Sequence, residues 1–185
     1  MLSFKSFILE NWFEKNDNTH LRRRSTIQDQ IGKPTPSKEE TGAVRRYEKD
    51  SKPVNTSLRA GSSEHPDIEH LDKFINKNKL PIDLHVYSAI KFNPEDRIND
   101  KKQMLHTEYL STTPHKDVAK GYTSPDKNGI HHIIHVMLKK GDTAAPLGTH
   151  EDEVLIGRGQ TMNYHGSVDF EDGDKKYRIH KMSIK

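Results

Sequence analysis

The sequence contains no cysteine, and this absence excludes several kinds of chemistry. A chain without thiols forms no disulfide, has no thiolate nucleophile and holds no zinc through cysteine ligands. No apolar run approaches the roughly 20 residues that a membrane-spanning helix needs. The N-terminus also lacks the long apolar region and the small-residue cleavage site of a secretory signal, so we do not expect export by that route.

Apolar residues are scarce as well. Only 31% of the 185 residues are hydrophobic and 31% are charged, which is little core material for a fully packed chain of this length. The formal net charge is +3, and residues 1–65 carry the whole excess, with twelve Lys or Arg against nine Asp or Glu. A slightly basic N-terminal third is compatible with an anionic neighbour such as nucleic acid, or with an ordinary solvated linker.

The distribution of apolar residues divides the chain into three segments. Residues 1–13 place their apolar side chains at helical spacing and predict a short amphipathic helix. Residues 14–65 have almost no apolar periodicity, so they cannot offset an ordering cost of roughly 1–2 kcal/mol per residue, and we expect a disordered basic tether. Residues 66–185 carry regular signals and are predicted to form the folded domain. The tether includes three consecutive basic residues, Arg22, Arg23 and Arg24.

The third segment has the pattern of a mixed domain. A helix is predicted from Pro66 to Ile75 and a short one over residues 115–122. Alternating apolar residues predict strands at 82–90, 106–113, 130–138, 151–157, 160–168 and 176–185. Two helices and five or six strands joined by loops indicate an α+β fold.

The acidic residues Glu151 and Glu153 are the most informative pair in the chain. Alternate residues of a strand face the same side, so these two carboxylates are predicted to project together. Crowded carboxylates repel, and nearby cations or a raised pKa on one of them must offset the repulsion. Such a pair suits general acid–base catalysis or stabilisation of a cationic transition state. The alternative interpretation is an exposed acidic strand start.

Two other segments add polar groups at strand ends. A hydroxyl cluster at residues 111–113 can position the polar groups of a ligand. An earlier predicted strand ends in Tyr87 and Ser88, which place an aromatic ring and a small polar side chain together.

In chain order, these three segments resemble the Arg–Ser–Glu class of mono-ADP-ribosyltransferases, over roughly residues 65–185. The family's motifs are an aromatic-Arg pair, a Ser-Thr-Ser run matched by residues 111–113, and a Glu-x-Glu pair matched by Glu151 and Glu153. The resemblance implies an ADP-ribosyltransferase-like α+β fold with an N-terminal helix. Two packed, mostly antiparallel sheets would form a cleft for NAD, which is the substrate.

The resemblance also implies the role of each matching residue. Glu153 would stabilise the oxocarbenium-like transition state, Glu151 would orient or deprotonate an arginine acceptor on a host protein, and Ser111 would brace Glu153. The residues implied to bind NAD are Tyr87, Ser88, Ser111, Thr112, Thr113 and Glu153.

One position departs from the family pattern. Ser88 stands where the aromatic-Arg motif has the arginine that grips the NAD phosphates, although phage members of the family resemble this chain in that respect. Losing a bidentate charged contact costs about a few kcal/mol of affinity. Three basic residues are candidates to replace it: Lys91, Arg97 and Arg158. The departure leaves open a catalytically degenerate protein that binds DNA or capsid. The basic N-terminal third leaves open a further hypothesis, a transferase that modifies RNA.

The first ten residues resemble the capsid-targeting peptide of internal head proteins in T-even-type phages. The residues that match are Met1, Phe4, Phe7, Ile8 and Glu10. The resemblance implies cleavage after Glu10, residence in the capsid interior of the virion, and delivery into the host cytoplasm with the DNA. We also expect a monomer with no membrane partner. The alternative is an amphipathic helix that docks on its own domain or on a membrane surface.

Twelve histidines raise the question of a metal. His131 and His132 are adjacent on a predicted strand and so face opposite sides, and no HExxH spacing occurs. We therefore expect surface histidines on that strand and no metal site. The sequence has no dinucleotide-binding glycine motif either, so NAD would lie in a cleft between sheets.

Overall fold

The computed structural model describes residues 27–32, 34–147 and 152–185. The amphipathic helix predicted over residues 1–13, the start of the predicted tether and Glu151 lie outside the described residues. None of the described helices is long and apolar enough to span a bilayer.

Within the described residues, four helices precede the first strand. They are α1 (Ile27–Ile31), α2 (Lys38–Lys49), α3 (Lys52–Arg59) and α4 (Pro66–Asn76). A capping box begins α2, because the Ser37 hydroxyl accepts from the Glu40 amide at 3.2 Å and the Glu40 carboxylate accepts from the Ser37 amide at 2.9 Å. Pro66 opens α4 in the first turn, where its missing N–H costs nothing.

The predicted disordered tether is therefore wrong over the described residues 27–32 and 34–59. Tyr47, Val54 and Leu58 are buried in one apolar cluster with Leu71 of α4. Each of the helices α1, α2 and α3 supplies only two or three buried residues. That number is too small to produce a periodic signal in the sequence. Their ordering is stabilised by the apolar surface of the following domain, because short helices depend on tertiary packing more than on local propensity.

Eight strands, one short helix and a 3₁₀ turn complete the described chain. The strands are β1 (Leu84–Ile90), β2 (Gln103–His106), β3 (Leu110–Thr112), β4 (Ile130–Leu138), β5 (Ala144–Pro146), β6 (Val154–Ile156), β7 (Gln160–Asp172) and β8 (Lys175–Ile184). The 3₁₀ turn is Pro94–Arg97 and the helix α5 is Lys116–Gly121.

The strands form two sheets that pack on each other. A five-stranded sheet has the order β1-β4-β8-β7-β2, and a three-stranded sheet has the order β3-β6-β5. Among the strand pairs of the described residues, only β4–β8 is parallel. Val86 and Ile134 of the larger sheet share a buried cluster with Val154 and Ile156 of the smaller one. The predicted α+β fold with two mostly antiparallel sheets is confirmed.

Individual strands differ from the prediction in informative ways. The predicted strand 106–113 is two strands, β2 and β3, which belong to different sheets. The strand predicted over 151–157 begins only at Val154, and the three-residue β5 was not predicted. By contrast, β4 has the predicted bounds, because its alternating apolar run continues over nine residues.

Candidate active site

A cleft of about 1260 Å³ opens where the two sheets meet. Every described residue that the sequence predicted to bind NAD lines it: Tyr87, Ser88, Ser111, Thr112, Thr113 and Glu153. The residues come from β1, from β3 and the turn after it, and from the residue that precedes β6. The fold therefore gathers into one cavity three segments that are far apart in the sequence.

Tyr87 and Ser88 join the two sheets at the floor of the cleft. The Tyr87 amide donates to the Thr113 carbonyl at 2.7 Å, and the Thr113 amide donates back to Tyr87 at 2.9 Å. The Ser88 hydroxyl donates to the Ser111 carbonyl at 2.7 Å and is buried. At the position of the family's arginine, this chain thus uses a small hydroxyl to hold β3 against β1.

The two hydroxyls of β3 have different roles. Thr112 is buried, and its hydroxyl donates to the Val154 carbonyl at 2.6 Å, which fixes β6 beside β3. Ser111 points the other way and is exposed to the cleft. This difference follows from the alternation of side chains along a strand. Ser111 is therefore the β3 hydroxyl within reach of a ligand, and Thr112 is structural.

Two helices ahead of the predicted domain supply part of the wall. The Tyr47 hydroxyl lies 3.4 Å from the Ser111 hydroxyl and accepts from the Asn55 amide nitrogen at 3.2 Å. Burial raises the pKa of Tyr47, and the negative charge of Glu153 raises it further. Tyr47 therefore stays neutral and can donate a hydrogen bond inside the cleft. No local sequence pattern indicates this role for Tyr47, because α2 lies within the predicted tether.

The backbone at Glu153 is fixed by its own hydrogen bond and by the contacts of the residue before it. Its carbonyl oxygen accepts from the Leu147 amide at 2.8 Å. The preceding residue, Asp152, has φ of 50°, in the left-handed region. Its carboxylate accepts from the Ile27 amide at 3.0 Å and lies 3.0 Å from His115 Nε2.

The predicted shared strand face of Glu151 and Glu153 stays a prediction, because Glu151 lies outside the described residues. The strand itself begins only at Val154, and Asp152 before it has a left-handed backbone in which side chains do not alternate as in a strand. The described member of the pair, Glu153, lines the same cleft as Ser111.

The three basic residues predicted to replace the motif arginine differ in whether they line the cleft. Lys91 and Arg97 line the cleft, and the Arg97 guanidinium stacks 3.6 Å from the centre of the Phe92 ring. Arg158 does not line the cleft and instead forms a bidentate pair with Asp72, in which Nε lies 3.2 Å from Oδ1 and Nη2 lies 2.8 Å from Oδ2. Of the three basic residues predicted to replace the motif arginine, Lys91 and Arg97 therefore remain as candidates.

Arg158 instead supports the back of the cleft. The Tyr109 hydroxyl lies 2.6 Å from the Asp72 carboxylate, which is also the partner of Arg158. Burial and the charge of Asp72 raise the pKa of Tyr109. The Tyr109 ring packs edge-on against Tyr47, with centroids 5.8 Å apart and an interplanar angle of 83°. Contacts therefore run from Arg158 through two tyrosines to the Ser111 hydroxyl.

The strand histidines are buried, not on the surface as predicted. His131, His132 and His135 are all at most 7% exposed. His132 Nδ1 lies 3.0 Å from His180 Nε2, and Tyr87 stacks on His135 with centroids 4.4 Å apart. Burial lowers the pKa of His135 to about 3, with a further contribution from the neighbouring His85. In the part of the chain that the structure describes, no three histidine or acidic side chains converge as a metal site.

Comparison with known proteins gives three findings. A family model described as ADP-ribosyltransferase exoenzyme matches residues 10–185. No curated protein sequence matches the chain. Solved structures, however, share its fold.

Three solved structures illustrate the similarity. Plx2a, an ADP-ribosyltransferase toxin from Paenibacillus larvae, superposes with a TM-score of 0.66 at 19% identity, covering 100% of both chains. The Clostridium limosum C3 exoenzyme has a TM-score of 0.64 at 19% identity, with 85% of this chain and 90% of that chain covered. C3stau2 from S. aureus, solved with NAD, has a TM-score of 0.64 at 18% identity, with 100% and 97% covered.

Proposed function

This chain belongs to the ADP-ribosyltransferase exoenzyme family, and from that premise we propose that it transfers ADP-ribose from NAD to arginine side chains of host proteins. The observation that carries the proposal is the convergence of Glu153, Ser111 and Tyr87 on one cleft between the sheets. The cleft is large enough for a dinucleotide, and it combines an acid, hydroxyls and cations on its walls.

Glu153 is assigned to the chemical step. NAD supplies an ADP-ribosyl group whose bond to nicotinamide breaks with development of positive charge on the ribose. A carboxylate fixed beside that ribose stabilises the charge without having to reorganise, which is worth about 10²–10³ in rate for a single well-placed group. The neutral Tyr47 and Ser111 hydroxyls lie on the same side and orient the ribose and the carboxylate.

Arginine is the proposed acceptor because of Glu151. In the family that the motifs resemble, a glutamate two residues before the catalytic one accompanies arginine modification, with the carboxylate orienting or deprotonating the guanidinium. Glu151 occupies that position in the sequence. The motif thus supports arginine over other acceptors.

Lys91 and Arg97 are proposed to bind the NAD diphosphate. Both line the cleft that holds Glu153, and they supply positive charge that Ser88 lacks. Ser88 is also the reason for a second candidate function, a degenerate head protein that keeps the fold and binds DNA or capsid. A third, an RNA-directed transferase, is supported only by the basic N-terminal third.

The experiment compares label transfer by matched variants. The chain is incubated with labelled NAD and either agmatine, a small guanidine acceptor, or a bacterial lysate. We expect Glu153→Gln to lower transfer by about 100-fold or more. Glu171→Gln, an exposed residue outside the cleft, should retain wild-type transfer. Equal labelling by Glu153→Gln and wild type would reject the proposal. Absence of both NAD binding by calorimetry and transfer would favour the degenerate protein, and label on RNA alone would favour the third function.

We also propose that the chain is packaged in a phage head and injected into the host cytoplasm with the DNA. The support is the resemblance of residues 1–10 to a capsid-targeting peptide, together with a family match that begins only at residue 10. The mature virion form would act as a monomer, beginning at Asn11. N-terminal sequencing from purified particles tests this, and an intact Met1 there would contradict it.

A further inference from the structure

We infer that Asp152 is a positioning residue for the reaction, and that it holds Glu153 in place through contacts with α1 and with His115. This inference rests on the proposed function, in which the Glu153 carboxylate acts on the ribose. The Glu-x-Glu motif leaves its middle position open, and this chain has an aspartate there. The carboxylate of that aspartate makes two contacts to distant parts of the chain.

The first contact is to the backbone of α1. One oxygen of the Asp152 carboxylate accepts from the Ile27 amide at 3.0 Å, although the two residues are 125 positions apart. A charged acceptor makes such a bond stronger than one between neutral groups. Ile27 is buried in the same apolar cluster as Val154, the residue that follows Glu153. The start of α1 and the chain at Glu153 are therefore fixed to each other.

The second contact is to the turn that follows β3. His115 Nε2 lies 3.0 Å from the other oxygen of the Asp152 carboxylate. The His115 amide donates to the Thr113 hydroxyl at 3.2 Å, and Thr113 lines the cleft and pairs with Tyr87. One carboxylate therefore bridges α1 and the turn that carries part of the cleft wall.

The backbone conformation of Asp152 makes these contacts matter for the next residue. Its φ of 50° lies in the left-handed region, which aspartate and asparagine enter more readily than other residues with a side chain. A conformation of this kind persists where the surroundings hold it. Because both oxygens of the Asp152 side chain are engaged, the direction in which the chain enters Glu153 and β6 is fixed.

Asp152 and His115 act at one remove from the ligand. Among the described residues, the set that lines the cleft includes Glu153 but neither of these two. Their loss therefore removes no contact with NAD and instead loosens the carboxylate that must lie beside the ribose. A displacement of about 1 Å at a reacting group lowers the rate by up to about 100-fold. The effect is expected in kcat, with KM for NAD almost unchanged.

The test uses two substitutions that separate the backbone of Asp152 from its side chain. Asp152→Gly adopts the left-handed backbone easily but loses both contacts, so kcat for agmatine labelling should fall by about 10- to 100-fold, with KM for NAD within about twofold. Asp152→Asn keeps an acceptor oxygen and enters the same backbone region, so its kcat should return to within about threefold of wild type. Asp100→Gly, the same change at an exposed aspartate outside the cleft, should match wild type.

A double-mutant cycle tests whether His115 acts through Asp152. His115→Ala should lower kcat in the wild-type background and have no further effect in Asp152→Gly, because its partner contact is already absent there. Its melting temperature should stay near that of the wild type, since His115 is half-exposed and an ion pair in water adds little stability. Additive losses in the cycle would overturn the proposed pairing.

The remaining outcomes decide between the inference and the proposed function. A wild-type kcat in Asp152→Gly, or a rise in KM that accounts for its whole loss, would overturn the inference and leave the proposed function intact. An equal loss in Asp152→Asn and Asp152→Gly would also overturn it, because the negative charge and not the hydrogen-bonded geometry would then be required. Absence of transfer by the wild type would remove the proposed function and this inference with it.

Discussion

At position 88 the chain has a buried serine whose hydroxyl holds the Ser111 carbonyl at 2.7 Å. An arginine there would have to displace this contact, since it adds a long charged side chain at a packed joint between sheets. The joint also includes the paired backbone of Tyr87 and Thr113. Ser88 and its contacts therefore occupy the place of the motif arginine. Another residue that lines the cleft is then expected to pair with the negative charge of the NAD diphosphate.

Arg97 is the residue at which we expect that charge to be met. Replacing Arg97 by Gln removes hydrogen bonds to a charged group, worth about 1.5–3 kcal/mol, so the Kd for NAD should rise by about 10- to 150-fold. Titration calorimetry measures the change. Arg45→Gln, an exposed change outside the cleft, serves as control and should leave Kd unaltered. An unchanged Kd in Arg97→Gln would exclude Arg97 as the phosphate residue.

Among the elements, α3 gives the clearest test of whether this part of the chain is a packed helix or a disordered tether. Leu58 is 6% exposed and packs in the cluster with Leu71 and Leu155. Leu58→Ala should lower the free energy of unfolding by about 2–5 kcal/mol, because it leaves a cavity in a packed core. Urea denaturation gives the value. Leu105, 62% exposed, is the control, and its change to Ala should stay within about 0.5 kcal/mol. Equal stability of both variants would mean that α3 is not packed.

The elements that could be predicted are those whose pattern is long. The nine-residue β4 and the apolar face of α4 exceed one full period of their geometry, so local sequence defines them. The helix α1 has five residues and β5 has three, and neither length allows a period to repeat. The break between β2 and β3 is a property of sheet assembly, which periodicity within one segment does not encode.

The residues of the candidate site also divide into those that the sequence predicts and those that it does not. Tyr87, Ser111 and Glu153 could be predicted because each belongs to a short motif and the motifs occur in a recognisable order. The hydroxyl of Tyr47 could not, since it reaches Ser111 only through packing of α2 on the small sheet. The left-handed backbone of Asp152 could not be predicted either. The partners of its carboxylate are Ile27 and His115, which lie far from it in the sequence.

At the scale of the whole molecule, buried histidines link stability to pH. Burial lowers the pKa of His106 and His180 to about 4 and that of His135 to about 3. Their unfolded pKa is about 6.5, so the unfolded chain binds more protons below that pH. Stability is therefore fully present above about pH 6.5 and is lost as the pH falls towards about 4.

The free energy of unfolding should fall by about 1 kcal/mol for each of the three histidines between about pH 7.5 and about pH 5.5. Urea denaturation at the two pH values measures the loss. His106→Gln should reduce the pH dependence by about one histidine's share, whatever its effect on stability at neutral pH. A free energy that does not change across this interval would show that these side chains are not buried as neutral groups.

Tyr47, Asn55 and Arg59 lie on helices that end before the first strand, yet all three line the cavity that holds Glu153. A recombinant fragment trimmed to start at Pro66 would retain every motif residue and still lack one side of its substrate cavity. Loss of activity in such a fragment would say nothing about the chemistry of the motifs. Truncation series and inhibitor screens on this protein should therefore keep the chain from Ile27 onward.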